Sequence, residues 1–174
     1  MDSGFSASHE KKWFALYTKP RQEFKAVIKL EASCIEFYLP TIKKVKRWRD
    51  RKKKSEEPIL RGYIFIRGDE KERLIAMQNS SIVRTICFQG KPAVIPDWEM
   101  ENLKNFLSQS SDVIVSDKIE IGTKVKIIEG PFIDVIGFVT GAQEDKWLAV
   151  SIELLKRSVM VRLPKESIIK VLEK

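Results

Sequence analysis

Apolar positions follow two different periods over roughly the first hundred residues of the chain. Short apolar, aromatic-rich runs alternate with stretches whose apolar residues recur at helical spacing, the patterns typical of strands and helices. The predicted strands are residues 13–18, 35–42, 63–66, 83–88 and 92–95, the last two turned at Gln89, Gly90 and Lys91. The predicted helices are residues 21–33, 69–77 and 97–107. This order predicts an α+β sandwich, with a mixed or antiparallel sheet flanked by helices.

Two of the predicted helices have one apolar face. In the first helix this face is predicted to consist of Phe24, Val27, Ile28 and Glu31. A basic stripe is predicted beside that face and consists of Arg21, Lys25 and Lys29. In the third helix Asp97 is the expected N-cap, and the core face is predicted to consist of Met100, Leu103, Phe106 and Leu107.

The texture of the chain changes after residue 108. Five short runs rich in β-branched residues follow one another with turns between them, at residues 124–128, 136–140, 147–152, 158–163 and 168–172. No convincing helix is predicted after Leu107, so the pattern indicates a small β-barrel of five strands. The uneven polar stretch before it is typical of a linker. We therefore predict a first domain at 11–108, a linker at 109–118 and a second domain at 119–174.

The charge of the chain favours a polyanionic partner. Charged residues make up 32% of the sequence and the net charge is +8, a balance that most often indicates nucleic acid. The stretch KKVKRWRDRKKK at 43–54 has nine basic residues in twelve. It is either a nucleic-acid-binding hairpin tip or a solvated loop.

The sequence lacks the residues that enzymes and metal sites require. Its one histidine, His9, lies in a short lead that we expect to be flexible. There is no pair of Cys-x-x-Cys spacings and no phosphate-binding glycine loop. We therefore expect no catalysis, no metal and no cofactor. No apolar run approaches a membrane span and no signal region opens the chain, so we expect a cytoplasmic protein without membrane contact.

Four stretches of the chain, in this order, resemble one known family. They are WFALYTKPRQE at 13–23, PILRGYIFI at 58–66, VRTICFQGKPAVIP at 83–96 and GTKVKIIEGPFIDVIGFV at 122–139. Together they resemble the NusG family, and the fourth is similar to its KOW motif, whose glycines allow positive φ and close backbone approach. Arg61 replaces a usual proline, Val135 replaces an aromatic residue, and the 43–54 stretch is unusually basic. Because of these departures, the chain resembles specialised paralogues of the RfaH or UpxY kind more than the housekeeping member of the family.

The resemblance implies an NGN-type sandwich that binds the clamp helices of RNA polymerase, followed by an SH3-like KOW barrel. The chain would then act as a monomeric elongation factor that promotes processive elongation or antitermination of specific operons, and the RfaH and UpxY kinship suggests capsule or exopolysaccharide operons. The implied polymerase-binding residues are Leu60, Tyr63, Phe65, Tyr17 and Ile86. A core role is the alternative for Tyr63 and Phe65, because they alternate on one strand face.

The resemblance also implies contact with exposed non-template DNA. The residues placed there are Lys19, Arg21, Lys25 and Lys29, with Ser80, Ser81 and Arg84 on a turn that would reach a splayed base. An ordinary solvated helix face is the alternative. In the basic stretch, charge density and the aromatic Trp48 predict a grip on upstream DNA by Lys46, Arg47, Trp48, Arg49 and Arg51.

The predicted barrel has a loop that would recruit a second protein. Its residues are Gly130, Pro131, Phe132 and Ile133, and the implied partner is a ribosomal protein or a termination factor. Alternatively, Phe132 simply plugs the barrel end. Glu153–Lys156 would tolerate a helix, so a fold switch stays open. The competing function is a ribosomal or other RNA-binding KOW-module protein, a class that lacks the sandwich domain.

Overall fold

The computed structural model describes residues 10–48, 51–110, 112–118, 120–141 and 146–172, and for 45–48 and 51–54 it describes the backbone alone. The chain forms two compact units. Unit 1 comprises the described residues up to Leu39 together with Arg61–Asp97, and unit 2 comprises Pro40–Leu60 together with the described residues from Trp98 onward. The prediction that His9 lies in a flexible lead falls outside the described residues.

The described elements follow one another along the chain in an alternating order at first and as strands later. In chain order they are β1 (Lys12–Thr18), α1 (Glu23–Ala32), β2 (Glu36–Tyr38), β3 (Thr41–Trp48), β4 (Arg51–Pro58), β5 (Tyr63–Gly68), α2 (Glu70–Met77), β6 (Ile82–Thr85), β7 (Cys87–Phe88), β8 (Lys91–Pro92), β9 (Val94–Ile95), α3 (Asp97–Ser108), β10 (Ile114–Ser116), β11 (Thr123–Glu129), β12 (Ile136–Thr140), β13 (Trp147–Ile152), a 3₁₀ turn (Glu153–Leu155), β14 (Arg157–Arg162) and β15 (Ile168–Val171).

Unit 1 is built around an antiparallel sheet in the order β2-β5-β1-β6, with β9 also paired to β1. Strand β1 is central because it is apolar on both faces, as its buried residues Phe14, Ala15 and Leu16 show. Strands β7 and β8 form a separate hairpin. Its turn residues Gln89 and Gly90 both have left-handed φ, 49° and 78°, the geometry of the tight hairpin turn that the sequence predicted.

Helices α1 and α2 pack on one face of this sheet. Their buried Ala26, Leu30 and Ala76 share a core with sheet residues such as Leu16 and Ile64. The predicted core-facing side of α1 was wrong at three of its four positions, because Phe24 is 42% and Ile28 65% exposed and Glu31 is also exposed. Positions 24 and 28 and positions 26 and 30 have the same spacing, so periodicity could not choose between them. The small Ala26 lets the helix approach the sheet closely, and this contact decides the buried face.

The predicted strand at 35–42 is two strands in the structure. Strand β2 ends at Tyr38, and β3 begins at Thr41 and pairs with β4 in a long hairpin of unit 2. Pro40 separates them, since proline has no backbone N–H to donate to a sheet. With eight residues in each strand, the hairpin reaches roughly 25 Å at the usual rise per residue.

Unit 2 contains an antiparallel sheet of six strands in the order β10-β14-β13-β12-β11-β15. Five of them are the predicted barrel strands. The sixth, β10, comes from the predicted linker and adds to the edge of β14 with Ile114 opposite Met160 and Ser116 opposite Ser158. Ile114 and Val115 are β-branched, and β14 otherwise offers an unpaired edge, so the linker is drawn into the sheet.

The α+β class predicted from the sequence is confirmed, with helices beside antiparallel sheets and a strand-rich second half. The predicted domain ranges stay predictions, whereas packing groups α3 from Trp98 onward with the six-stranded sheet of unit 2. Among the described residues, no helix has both the length and the apolar character needed to cross a bilayer.

Candidate functional site

Three predicted contact residues form one row across neighbouring strands of unit 1. The register places Tyr63 of β5 opposite Tyr17 of β1, and Tyr17 opposite Arg84 of β6. The tyrosine rings meet edge to face with centroids 5.4 Å apart, and the Arg84 guanidinium lies 5.7 Å from the centre of the Tyr17 ring. Arg84 is exposed and both tyrosines are half-buried. We call these three residues the tyrosine cluster. It presents aromatic and cationic groups to solvent.

The turn that precedes Tyr63 fixes the geometry of the cluster. Gly62 has φ +82°, and a Cβ at this position would lie 3.0 Å from the Tyr17 ring, so the left-handed turn and the close ring both require glycine. The Gly62 carbonyl accepts a hydrogen bond from Thr18 N at 2.9 Å. The Gly62 N–H donates to the Glu23 carboxylate at 2.8 Å. Glu23 was not among the residues predicted from the sequence, where its only signal was its place as an acidic residue in the first turn of α1.

The other residues predicted to bind polymerase are less accessible. Leu60 is 1% exposed and Phe65 is 0% exposed. Phe65 stacks on Tyr38 with ring centroids 6.4 Å apart. Ile86 is half-buried, and its backbone N–H donates to the carbonyl of Ala15 at 2.9 Å. In this structure Leu60 and Phe65 are therefore buried, whereas the two tyrosines and Ile86 keep part of their surface accessible.

The predicted basic stripe lies on the surface of unit 1. Lys19, Arg21, Lys25 and Lys29 are all exposed. Arg21 has φ +61° in the turn that leads into α1, a conformation that residues with a side chain seldom adopt. The Lys29 ammonium donates to the Ser80 hydroxyl at 2.7 Å. The structure thus joins one lysine of the stripe to the turn predicted to reach a base.

A cavity of about 260 Å³ opens beside this pair. Its lining residues come from α1, α2 and the following turn, and they are Lys29, Leu30, Ala32, Ser33, Ile75, Ala76, Gln78 and Asn79. The Asn79 side chain holds the turn in place, because it donates to the Ala26 carbonyl at 3.0 Å and accepts from Ser81 N at 3.0 Å. Ser81, which we predicted to contact nucleic acid, is 0% exposed. Its hydroxyl finds no hydrogen-bond partner within the described ranges.

The basic hairpin of unit 2 is described in its backbone register. Lys46 lies opposite Lys53, Arg47 opposite Lys52 and Trp48 opposite Arg51. Nearer the base, Lys43 lies opposite Glu56. The side chains of Lys46, Arg47, Trp48 and Arg51, and the whole of Arg49, lie outside the described part of the chain. Their role stays a prediction.

The predicted partner loop of unit 2 is packed against helix α3. Gly130 and Phe132 have φ of +93° and +71°, so the loop turns sharply. Phe132 is only 4% exposed, and its ring lies 5.4 Å from that of Phe106. Pro131 is exposed, and Ile133 is 48% exposed. Phe132 is therefore a packed residue in this structure.

Amide side chains on α3 and on Gln109 just after it bond the backbone of this loop and of the first residue of β12. Asn102 accepts from Ile136 N at 2.8 Å and donates to Ile136 O at 2.7 Å. The side chains of Asn105 and Gln109 bond Ile133 O and Phe132 N at 3.2 and 2.6 Å. Sequence reasoning missed these three residues. Their spacing places them on one helical face with Phe106, and this run of amides was the available signal.

A carboxylate of α3 completes the contact with the sheet of unit 2. Glu99 is 7% exposed, and its side chain accepts from Glu153 N at 2.9 Å. Burial raises the pKa of Glu99 above its ordinary value, the hydrogen bond from Glu153 N opposes that rise, and the charge of Glu153 adds to it. Glu99 therefore caps the 3₁₀ turn at a cost in desolvation.

Comparison with known proteins agrees with this architecture. A family model described as "Transcription termination factor nusG" matches residues 11–104. The "Transcription termination/antitermination protein NusG" of Pasteurella multocida (strain Pm70) is 29% identical over 151 residues, which are 82% of this chain and 80% of the relative. The protein of the same name from Vibrio vulnificus (strain CMCP6) is 30% identical over 137 residues, 74% of this chain and 73% of the relative.

A solved structure has a similar fold. It is described as "Domain interaction in Thermotoga maritima NusG" and matches with a TM-score of 0.52 at 20% identity, covering 88% of this chain and 94% of that one. Together, the sandwich and the strand-rich second half define a two-module protein of the transcription machinery. The chain belongs to the NusG family, a family of transcription factors, because the family model matches more than half of it.

Proposed function

We propose that this protein is a transcription elongation or antitermination factor that binds RNA polymerase through the tyrosine cluster of unit 1. The carrying observation is the row of Tyr63, Tyr17 and Arg84 across three adjacent strands. Half-exposed tyrosines beside an exposed arginine are the residue types that dominate binding energy at protein interfaces. The family resemblance suggests the clamp helices as the partner element, and helical tips present apolar side chains that aromatic rings can receive.

Nucleic acid is the proposed second partner of unit 1. Lys19, Lys25 and Lys29 are exposed, and the cavity beside Lys29 has room for part of a displaced base. Lysines attract phosphates without reading sequence, whereas the Ser80 hydroxyl can donate and accept hydrogen bonds at a base edge. We propose that a single strand of DNA exposed by the polymerase, the non-template strand, passes over this face.

The basic hairpin is the proposed contact with upstream DNA. Its register pairs basic residues with basic residues at Lys46–Lys53 and Arg47–Lys52. Like charges on paired strands destabilise a hairpin, and phosphates of a bound duplex would offset that cost. Trp48 and its basic neighbours are therefore proposed to bind DNA rather than to form only a solvated tip.

We assign a smaller part of the proposed polymerase contact to Leu60, Phe65 and Ile86. Leu60 and Phe65 are buried in this structure, so a polymerase element would reach them only in another conformation. The loop at Gly130–Ile133 is likewise proposed to recruit a second protein, a ribosomal protein or a termination factor. Pro131 and Ile133 are accessible to such a partner, whereas Phe132 would first have to leave its contacts with Phe106 and Gln109.

We further propose that the chain is a specialised paralogue of the RfaH or UpxY kind, acting in the cytoplasm on particular operons such as those for capsule or exopolysaccharide. The basic hairpin and the substitutions at Arg61 and Val135 support this. The competing function, an RNA-binding KOW-module protein, is less favoured because the family match lies in residues 11–104 rather than in the second half.

The test is binding of the full chain to purified core RNA polymerase. Tyr63→Ala is compared with Tyr38→Ala, a matched control because both tyrosines are half-buried residues of unit 1 with an aromatic neighbour. We expect Tyr63→Ala to weaken binding at least about tenfold, the usual effect of removing an aromatic anchor. Tyr38→Ala should stay within about threefold. Circular dichroism checks that both variants are folded.

Three results would count against the proposal. If the parent protein does not bind polymerase, the elongation-factor function is wrong, and salt-dependent binding to RNA would then favour the competing function. If the parent binds but Tyr63→Ala binds equally well, the contact surface lies elsewhere. If both tyrosine variants lose binding equally, the effect reflects stability rather than contact.

A further inference from the structure

The first observation concerns a buried carboxylate side chain that is not among the residues proposed to contact polymerase or nucleic acid. Glu23 is 5% exposed, although it opens helix α1 and carries a carboxylate. Burying an ionised carboxylate is costly unless hydrogen bonds and nearby positive charge compensate. Here the compensation comes from the helix N-terminus and from the N–H of Gly62 at 2.8 Å. The hydrogen bond from Gly62 N is thus a polar contact made by a buried side chain.

The second observation is what that hydrogen bond holds. Both backbone polar groups of Gly62 are engaged, its N–H by Glu23 and its carbonyl by Thr18 N at 2.9 Å. The turn is therefore fixed between the start of α1 and the end of β1. Tyr17 directly precedes Thr18, and its ring lies 3.0 Å from the position of a Cβ on Gly62. Tyr63 directly follows Gly62, so one glycine determines the approach of both rings.

We infer that Glu23 is a positioning residue for the tyrosine cluster: its carboxylate fixes the Gly62 turn, and the turn sets the edge-to-face contact of Tyr17 and Tyr63 that polymerase binds. The inference rests on the proposed function. Because Glu23 belongs to α1, the same hydrogen bond ties the cluster to the helix that carries Lys25 and Lys29. The proposed polymerase surface and the proposed nucleic-acid surface therefore share one rigid connection.

Two substitutions separate the hydrogen bond from the charge. Glu23→Gln keeps an oxygen that can accept from Gly62 N, whereas Glu23→Ala removes the acceptor. The full chain is assayed for affinity to core RNA polymerase, and the Gly62 amide is followed by NMR hydrogen exchange. Ile66→Val is the matched stability control, because it removes one methyl group from the fully buried core of unit 1 away from the cluster.

The inference expects Glu23→Ala to bind polymerase about tenfold more weakly, as for loss of one charge-assisted hydrogen bond. The Gly62 amide should exchange faster in that variant. Glu23→Gln should bind within about threefold of the parent and keep the amide protected. Ile66→Val should lower the melting temperature and leave polymerase affinity unchanged.

The inference is overturned if Glu23→Ala exposes the Gly62 amide yet binds polymerase like the parent. It is also overturned if Glu23→Gln is as weak as Glu23→Ala, since charge rather than the hydrogen bond would then matter. If Ile66→Val loses as much polymerase affinity as Glu23→Ala, then Glu23 acts only through the general stability of unit 1 and the inference is wrong. A parent chain that fails to bind polymerase overturns the proposed function and this inference with it, which distinguishes that failure from the other three.

Discussion

The tyrosine cluster of unit 1 and the partner loop of unit 2 are built alike and differ in access. Each has an aromatic residue close to a glycine in the left-handed region, with Tyr63 directly after Gly62 and Phe132 two residues after Gly130. The tyrosines stay half-exposed, whereas Phe132 is 4% exposed beneath the Phe106 ring of α3. Glycine and aromatic residues define a turn, but they do not decide whether the turn is open to a partner.

The difference arises from what each turn is bonded to. The Gly62 turn is held from within unit 1 by Glu23 and Thr18, and both tyrosine rings beside it stay half-exposed. The partner loop is held by the side chain of Gln109, just after α3, and Phe132 packs against the Phe106 ring of that helix. A binding partner can therefore approach the first surface directly, whereas at the second it must compete with an intramolecular helix.

The largest effect on stability is expected at the partner loop, where Phe132 is buried. Phe132→Ala should lower the free energy of unfolding of unit 2 by about 3 kcal/mol, because it leaves a cavity against Phe106. Ile133→Ala, at the half-exposed neighbour, should cost less than about 1 kcal/mol. Chemical denaturation monitored by hydrogen exchange of the β11–β15 amides measures both. Equal losses for the two variants would mean that Phe132 is not covered as described.

At the Gly62 turn, the expected effect comes from the backbone conformation of the glycine. Gly62→Ala forces a side chain into left-handed φ, at a cost of about 1–2 kcal/mol, and the new methyl group would push the Tyr17 ring aside. We expect lower stability of unit 1 and a changed Tyr17–Tyr63 contact, measured by thermal unfolding and by NMR contacts between the rings. Gly90→Ala, also at positive φ but with no atom near its Cβ, is the control and should leave the rings in place.

A smaller effect is expected from the buried carboxylate of Glu99, through which α3 contacts the 3₁₀ turn. Since burial raises the pKa of Glu99, the folded state holds a proton more tightly than the unfolded state. The contribution of Glu99 to stability is then fully present below its unfolded pKa and is lost as pH rises through the raised folded pKa. Glu99→Gln keeps an acceptor for Glu153 N and removes the charge.

We expect Glu99→Gln to be more stable than the parent at neutral pH, by less than about 1 kcal/mol, with the advantage disappearing as the pH falls below 4–5, approximately the unfolded range. Thermal unfolding across this pH range measures the difference. Glu101→Gln, at an exposed position of the same helix, should show no such dependence. A Glu99 variant that is less stable at every pH would mean that the charge itself holds the contact.

The smallest effect concerns the basic face of unit 1. Lys29→Ala should reduce the slope of log affinity against log salt for single-stranded DNA by about 0.7, as expected for loss of one phosphate contact. Lys170→Ala, at an exposed lysine of β15, is the control and should leave the slope unchanged. An unchanged slope in Lys29→Ala would place the nucleic-acid contact elsewhere.

Much of the fold could be predicted because its signals are local. The period of apolar residues predicted α2 and the five barrel strands, and Asp69 and Glu72 form a capping box at the start of α2. Long-range signals were harder to read. The linker residues at Ile114–Ser116 join a sheet because the edge of β14 can pair with them. Their own sequence does not indicate which strand they will pair with.

The sequence by itself determined the helices and most of the strands, the position of the Gln89–Gly90 turn and the basic character of the chain. These properties depend on backbone propensity, side-chain periodicity and charge, all of which act between near neighbours. Only the tertiary structure decided that Tyr63 is accessible while Phe65 and Phe132 are buried, and that Glu23 holds the Gly62 turn. Burial and hydrogen-bond partners depend on residues far away in the chain, so one aromatic side chain stays half-exposed while another is part of the core.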